Sequence, residues 1–214
     1  AVISARATSF IFSKMILESL APFNLLAVRF IIAFVLLALI FNKAVRSLAA
    51  RDLLAGTVIG TAFFITMACE MIALTQAASS LVSLLENCAI IFVPLLEILL
   101  YKKLPGKLTV ISTGMAMLGV VLLALGQGEL SGGFTWGLLA GLCYAAAIIV
   151  TERLSHGSTA TLGIGIVQVG TMGVLSFLAM LLTETPQLPQ SGSQWLMLAM
   201  LIIAVSYTHL RAHE

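Results

Sequence analysis

Two carboxylates lie inside a stretch that is apolar enough to cross a membrane. Glu86 and Glu97 both fall in the segment SLLENCAIIFVPLLEILLYKK, with Asn87 beside the first of them. A charged side chain at the centre of a bilayer costs about 2.5 to 3.5 kcal/mol on insertion scales, so such residues pair with another charge or face an aqueous cavity. Eleven residues of helix return nearly to the same face, about 16 Å further along the axis. The spacing therefore allows both carboxylates to line one aqueous path.

Two interpretations of Glu86 are open on the sequence alone. In one, Glu86 forms a structural ion pair that fixes helix packing. In the other, it binds a proton or a cationic group of a solute in one state of the protein and releases it in another. Asn87 would then add a hydrogen-bond donor and acceptor beside it. Glu97 is about one helical turn from Lys102, so we expect it to lie at the membrane interface and to pair there or extend towards water.

An arginine and a further glutamate are predicted at the depth of Glu86. Arg29 lies about 9 Å inside the second apolar segment, and Glu70 lies close to the end of the third. A pair between Arg29 and either glutamate is therefore sterically feasible. The planar guanidinium of Arg29 also suits the carboxylate of a solute, and a purely structural role is an equal alternative.

The other polar candidates are single residues within apolar segments. Tyr144 and Gln168 are expected either to contact a solute or to bond to a neighbouring helix. Pro94 removes one backbone hydrogen bond and is a hinge candidate between the two glutamates. The sequence contains no nucleophile paired with a base, no HExxH motif and no phosphate-binding loop. We therefore expect no catalytic residues, no cofactor, no metal site and no enzymatic activity.

The composition is that of an integral membrane protein. Of the 214 residues, 60% are hydrophobic and 9% are charged, and the mean hydropathy is +1.12, whereas soluble domains are about 25% charged. The apolar residues occur in continuous blocks near the length of about 20 that a helix needs to span a bilayer, not in the alternating segments of a barrel. The expected partners are the lipid bilayer and a small-molecule solute, with H+ as a further option, and no nucleic acid.

Hydropathy predicts eight helical segments. The first begins without a methionine and the last is short for a span. We expect the chain to be shortened at both ends, and residues 206–214 to be a non-native tail. The predicted segments are Ala1–Leu17, Phe23–Phe41, Leu53–Leu74, Ser80–Tyr101, Leu108–Leu125, Trp136–Val150, Thr161–Leu182 and Trp195–Val205.

Lysine and arginine are concentrated in alternate loops. The loops after the second, fourth and sixth segments carry them, and the loops after the third, fifth and seventh carry none. Because cytoplasmic loops of membrane proteins are enriched in these residues, the N-terminus is predicted to be cytoplasmic. The basic residues of these loops are Lys43, Arg46, Arg51, Lys102, Lys103, Lys107 and Arg153.

A shift of 139 residues aligns the beginning of the chain with its last third. It places Lys14 on Arg153 and Arg29 on Gln168, so each pair of residues keeps its separation. If the two aligned stretches belong to two copies of one repeat, the odd number of spans in the first copy gives the second copy the opposite orientation in the membrane, as in many transporters. We therefore expect residues 1–126 to be a first repeat of five helices and residues 127–205 to be a partial second repeat of three.

Three stretches carry a resemblance to a known family. They are RATSFIFSKMILESLAPFNLLAVRFIIAF, ALTQAASSLVSLLENCAIIFVPLLEILLYKKLPGKLTVISTGMAMLGVVLLALG and, more loosely, GFTWGLLAGLCYAAAIIVTERL. Through them the chain resembles the EamA-type transporters of the drug/metabolite transporter superfamily. The resemblance implies ten helices in two inverted repeats of five, cytoplasmic termini, and transport of small organic solutes.

Together these features predict an all-α, multi-pass transmembrane helical bundle with five-plus-five inverted-repeat architecture, truncated here to about eight helices. The predicted function is secondary transport of a small organic metabolite or drug-like compound by alternating access in a bacterial inner membrane. Proton coupling is one option, and Glu86 is the principal site candidate. A non-transporting membrane scaffold is an alternative, and an intramembrane enzyme is a less favoured one.

Overall fold

α-Helices make up the regular secondary structure of the computed structural model, which describes residues 2–101, 106–126, 132–156, 158 and 160–211. No strand occurs within those ranges, so the predicted all-α fold is confirmed. In chain order the helices are α1 Val2–Leu17, α2 Pro22–Ile40, α3 Asn42–Arg46, α4 Ala50–Gln76, α5 Ser79–Asn87, α6 Ala89–Tyr101, α7 Lys107–Gly126, α8 Gly132–Ser155, α9 Thr161–Thr183 and α10 Gly192–Arg211.

Every predicted apolar segment coincides with helix. Within the described residues, five helical stretches are long and apolar enough to cross a membrane. They are α2, α4, α8, α9 and the stretch Ser79–Leu100, which combines α5 with most of α6. Shorter apolar stretches lie in α7 and α10. The chain is therefore a multi-pass helical membrane protein.

The predicted fourth segment is interrupted at Cys88. The N–H of Cys88 bonds to the carbonyl oxygen of Leu85 at 3.1 Å, three residues back instead of the four of an α-helix. The helix then continues through Pro94. Because proline distorts the turn that precedes it, the interruption lies on the side of Pro94 where strain is expected. The hinge role of Pro94 itself stays a prediction.

One helix was not predicted, and several residues with predicted roles lie outside the described part of the chain. The basic loop after α2 contains a short helix, α3, which hydropathy does not reveal because this helix buries no residue. Lys102 and Lys103 lie outside the described residues, as do the side chain of Lys107 and those of residues 203–214. The helical backbone of α10 extends into the predicted tail as far as Arg211.

The helices form two compact units. One comprises Ala1–Phe64 with Glu152–Glu214, and the other comprises Ile65–Thr151. These units are defined by contacts within the fold, whereas the predicted repeats are defined by similarity along the chain. The repeat boundaries therefore stay a prediction.

The first unit is built around the antiparallel pair α2 and α9. A Cβ atom added to Gly170 would lie 2.7 Å from Cδ2 of Phe34, and one added to Gly173 would lie 3.2 Å from the backbone nitrogen of Ile31. Only a residue without a Cβ lets the two helices come this close. The side chains buried on these two helices include Leu25, Leu26, Phe30, Ala33, Leu37, Ile164, Ile166, Val169 and Met172.

The 139-residue shift maps the contact between α2 and α9 onto itself. Shifting Ile31 gives Gly170 and shifting Phe34 gives Gly173, so the contact of Ile31 with Gly173 maps onto the contact of Phe34 with Gly170. α2 begins at Pro22, and α9 begins 139 residues later. A self-complementary contact of this kind is the pattern that a two-fold axis produces.

Glycines also bring other helices close together. In the first unit, a Cβ on Gly60 of α4 would lie 2.7 Å from the carbonyl oxygen of Gln168 on α9. In the second unit, a Cβ on Gly141 of α8 would lie 2.5 Å from the carbonyl oxygen of Leu85 on α5. The spacing of small residues four apart in GTVIG and GLLAG thus serves helix packing.

Alanine substitutions at two glycines are expected to have opposite effects on stability. At Gly60 the added methyl would meet the α9 backbone, and such overpacking costs about 1 to 3 kcal/mol. At Gly114 of α7, an added Cβ would have no described atom within 4 Å other than the neighbouring backbone of its own helix, so alanine should stabilise the helix by about 0.5 to 1 kcal/mol. Thermal unfolding in detergent measures both. A Gly60→Ala protein as stable as the unsubstituted chain would contradict the close packing of α4 on α9.

Candidate functional site

Two carboxylates are buried in the second unit. Glu86, in the last turn of α5, is 2% exposed, and Glu70 on α4 is 5% exposed. Ionisable side chains within membrane spans are rare, and they are functional-site candidates by default. The sequence predicted both residues as candidates, and the structure places both in the protein interior.

Contacts between α4, α5 and α8 bring the candidates of the second unit to a common level. The thiol of Cys69 on α4 lies close to the thiol of Cys143 on α8. Two residues earlier on α8, Gly141 approaches the backbone of Glu86. Glu70 and Tyr144 directly follow the two cysteines. At a rise of about 1.5 Å per residue, Glu70, Glu86 and Tyr144 therefore lie within about one helical turn of one another along the bundle.

Three other predicted residues of this unit are placed differently. The Asn87 side chain is exposed, and its Nδ2 donates a 2.7 Å hydrogen bond to the carbonyl oxygen of Ser83 on the same helix. Successive helical residues point about 100° apart, which is why Asn87 does not share the burial of Glu86. Pro94 and Glu97, on α6, are half-buried.

Arg29 and Gln168 belong to the first unit, and both are buried. Nη2 of Arg29 donates to Oγ of Ser9 at 3.3 Å, and its guanidinium carbon lies 5.3 Å from the ring centre of Phe30. The antiparallel contact of α2 with α9 places Arg29 and Gln168 on opposite sides of its midpoint, about 10 Å apart along the helix axis. A pair between Arg29 and Glu70 or Glu86 stays a prediction.

A carboxylate from another helix end caps the N-terminus of α2. Oε1 of Glu184 accepts the backbone N–H of Phe23 at 3.0 Å, and Oε2 accepts that of Asn24 at 2.9 Å. Pro22, the first helical residue, has no N–H to satisfy. The donors that open the helix are therefore fully used, and the negative charge lies at the positive end of the helix dipole.

The side chain of Asn24 completes this cap. It is fully buried, and its Nδ2 donates to Oε2 of Glu184 at 2.8 Å and to the carbonyl oxygen of Thr185 at 3.1 Å. Its Oδ1 accepts the backbone N–H of Gln187 at 2.7 Å. We call Asn24, Glu184, Thr185 and Gln187 the clasp. Hydrogen bonds to charged groups contribute about 1.5 to 3 kcal/mol each, so the clasp ties the start of α2 firmly to the end of α9.

The other end of the α2 and α9 pair has an equivalent but apolar contact. There Gly163, near the start of α9, packs against Leu48 and the carbonyl oxygen of Ala44. The 139-residue shift turns Asn24 into Gly163 and Leu48 into Gln187. The contact of Asn24 with Gln187 thus maps onto that of Gly163 with Leu48, and polar atoms at one end correspond to apolar atoms at the other.

A further hydrogen bond lies at each end of this unit, and the 139-residue shift relates only the two serines that take part. Oγ of Ser158 donates to Oδ1 of Asp52 at 3.2 Å, and Oγ of Ser19 accepts from Nε2 of Gln194 at 2.6 Å. Ser19 and Ser158 are 139 residues apart. Asp52 and Gln194 are each the third residue of their helices, α4 and α10, and each also accepts a backbone N–H just before the helix. Each end of this unit thus has a serine bonded to a capping residue.

Comparison with family models decides the family. The model of the EamA-like transporter family matches residues 1–125, more than half of the chain. This chain belongs to the EamA-like transporter family. The match covers the buried glutamates, Arg29 and the clasp residue Asn24. The family comprises membrane transporters of the drug/metabolite transporter superfamily, not enzymes. No curated protein matches the chain.

Several polar residues of this EamA-like chain were missed by the sequence analysis. Asn24 and Glu184 lie at span ends, where hydropathy makes polar residues unremarkable, and only the fold shows that they meet. Gln194 was detectable, because Ser191 three residues before it completes a capping box. Ser13 and Ser176 are fully buried, and within the described residues their hydroxyl oxygens have no hydrogen bond. Buried hydroxyls of this kind are uncommon, so both are further candidates for polar contacts.

The proximity of two cysteines provides a test of the α4 and α8 packing. Copper(II)–phenanthroline should oxidise Cys69 and Cys143 to a disulfide, with loss of both thiol protons and reduction of copper(II) to copper(I). Mass spectrometry of a non-reduced digest of the full chain detects the linked peptides. Cys88→Ser is the matched control and should link as fully as the unsubstituted chain, whereas Cys143→Ser should not link. A digest in which Cys69 is linked to Cys88 in place of Cys143 would contradict the alignment.

Proposed function

We propose that this EamA-like chain is a secondary transporter of a small organic solute that works by alternating access between two inverted repeats. The repeats are residues 1–126 and residues 127–205. In such transporters one repeat rocks against the other around a site near the middle of the membrane. The observation that carries the proposal is the set of paired contacts that the 139-residue shift interconverts.

The paired contacts support a rocking motion because of where they lie. The contact of Ile31 and Phe34 with Gly170 and Gly173 is at the middle of α2 and α9. The contacts of Asn24 with Gln187 and of Gly163 with Leu48 are at opposite ends. A two-fold axis through the middle of the pair makes the two ends geometrically equivalent. The different residues at the two ends make them chemically distinct. Tilting one helix against the other about that middle opens one end while it closes the other.

The buried carboxylates favour coupling to a cation or a proton. Glu86 and Glu70 lie in apolar helices at the level of Tyr144. Ionisable side chains within membrane spans are functional-site candidates, so we propose that a proton, or a cationic group of the solute, binds and leaves there. We place the coupling function on Glu86, with Glu70 and Tyr144 as neighbours and Asn87 as an untested candidate. Arg29 and Gln168, which belong to the first unit, are untested candidates for contact with the solute.

We assign the Thr161 end of the α2 and α9 pair to the cytoplasm of a bacterial inner membrane. Lys43 and Arg46 on α3 lie at this end, because α3 packs against the start of α9. Arg51 opens α4 at the same end. Basic residues concentrate on the cytoplasmic side of membrane proteins, which makes the N-terminus cytoplasmic and the clasp external.

Substitution of Glu86 tests the coupling proposal. In vesicles containing the full chain, solute uptake driven by an imposed pH gradient should fall about tenfold or more in Glu86→Gln, as expected when a residue of a proton relay is lost. Glu97→Gln, a half-buried carboxylate on the next helix, is the matched control and should retain uptake within about twofold. Undiminished gradient-driven uptake in Glu86→Gln would exclude Glu86 as the coupling residue. Absence of uptake across a broad panel of solutes by the unsubstituted chain would contradict the transport proposal itself.

Cysteine labelling tests the orientation. In a chain whose three cysteines are replaced by serine, Ser47→Cys and Gln190→Cys each place one exposed thiol at opposite ends of the first unit. A membrane-impermeant maleimide added to intact cells should label Gln190→Cys and leave Ser47→Cys unlabelled until the cells are opened. The reverse pattern would contradict the assignment of the basic loops to the cytoplasm.

A further inference from the structure

Among the described residues, more direct hydrogen bonds join α2 to the segment after α9 at the Pro22 end than join the two helices at the Thr161 end. At the Pro22 end the clasp contains five hydrogen bonds, all between the start of α2 and residues 184–187. At the Thr161 end, the equivalent position is Gly163 against Leu48, and Ser158 bonds to Asp52 nearby. Geometrically equivalent ends are thus secured with unequal strength.

We infer that the clasp is the gate at the Pro22 face and that it biases the protein towards closure there, with Asn24 and Glu184 as its gating residues. The inference rests on the proposed alternating access. Every bond of the clasp joins a residue before position 126 to one after it, so each joins the two proposed repeats. Rocking that opens the Pro22 face must break these bonds, and rocking that opens the Thr161 face need not.

The chemistry of the clasp suits a gate that opens and closes repeatedly. When it opens, the Phe23 and Asn24 N–H groups and the Glu184 carboxylate become accessible to water, which satisfies all of them. Glu184 is only half-buried and Asn24 lies within the first turn of its helix. Opening therefore requires no separation of charges in the membrane interior. Opening breaks the direct, charge-assisted hydrogen bonds of Glu184, and this loss of free energy keeps the gate closed at rest.

Asp52, which bonds to Ser158 at the Thr161 end, provides a substitution to compare with one at Glu184. Glu184→Gln and Asp52→Asn are both isosteric changes from a carboxylate to an amide, at equivalent ends of the pair. In each substitution, an NH2 group replaces one carboxylate oxygen, and this group then faces N–H or O–H groups that previously donated to that oxygen. If the two contacts act as opposing gates, the two substitutions should shift the protein in opposite directions.

The reporters are two buried residues related by the 139-residue shift, Ala27 on α2 and Ile166 on α9. Each is replaced by cysteine in the full chain with its three natural cysteines changed to serine. The measured quantity is the rate of labelling by a membrane-impermeant maleimide in vesicles of both orientations. It requires no solute, so it can fail or succeed independently of the transport measurements.

We expect Glu184→Gln to raise the labelling rate of Ala27→Cys about tenfold, as loss of a charge-assisted bond would, and to lower that of Ile166→Cys. Asp52→Asn should change both rates in the opposite sense. Unchanged rates in Glu184→Gln would overturn the gate. A rise at both reporters would also overturn it, because loosening of the whole unit, not rocking, would then explain the labelling.

Asn24→Asp provides a second variant in which opening is distinguished from loss of folding. It places a carboxylate against Glu184, where Nδ2 now lies 2.8 Å from Oε2, and like charges so close are not both ionised readily. At each pH the labelling rate of Ala27→Cys is divided by its rate in the chain that keeps Asn24, because the thiolate fraction itself rises with pH. This ratio should be high at high pH and return towards one at low pH, reversibly in one sample. A high ratio that low pH does not lower would count against the gate.

Discussion

The close approach of α2 and α9 is the constraint on which the rest of the first unit depends. Gly170 and Gly173 have no side chains of their own, so the Phe34 ring packs directly against the first and Ile31 against the second. In lipid, helices gain little from the hydrophobic effect on association, and packing of this kind supplies much of their attraction. Because the contact lies at the middle of both helices, it can hold the unit together while the ends exchange partners.

The ends of the same pair show how equivalent positions have acquired different chemistry. Asn24 contacts Gln187 at one end, and its counterpart Gly163 contacts Leu48 at the other. Leu48 and Gln187 are themselves 139 residues apart, so the two contacts occupy equivalent positions although their chemistry differs. A symmetric geometry therefore coexists with an asymmetric distribution of hydrogen bonds. In a transporter that alternates between two facings, such asymmetry sets which facing is favoured, whereas the shared geometry allows both.

The second unit contains the two buried glutamates, Glu70 and Glu86. Its α8 approaches α5 through Gly141 and α4 through the Cys69 and Cys143 thiols, which aligns Glu70, Glu86 and Tyr144. The interruption at Cys88 follows Glu86 by two residues, so the carboxylate lies on the last regular turn before the chain reorients. A buried carboxylate beside a helix break is a position where a small change of backbone alters exposure.

The sequence by itself determined the helical segments, the membrane character, the family and the buried carboxylates Glu70 and Glu86, since apolar length and intramembrane charge are local properties of the chain. It also predicted the 139-residue relation, but only from pairs such as Lys14 and Arg153. Tertiary structure alone decided that Asn24 meets Glu184, that Asn87 points away from Glu86, and that the repeat-related contacts are reciprocal. These depend on which helices lie side by side and at what register, and hydropathy contains no information on either.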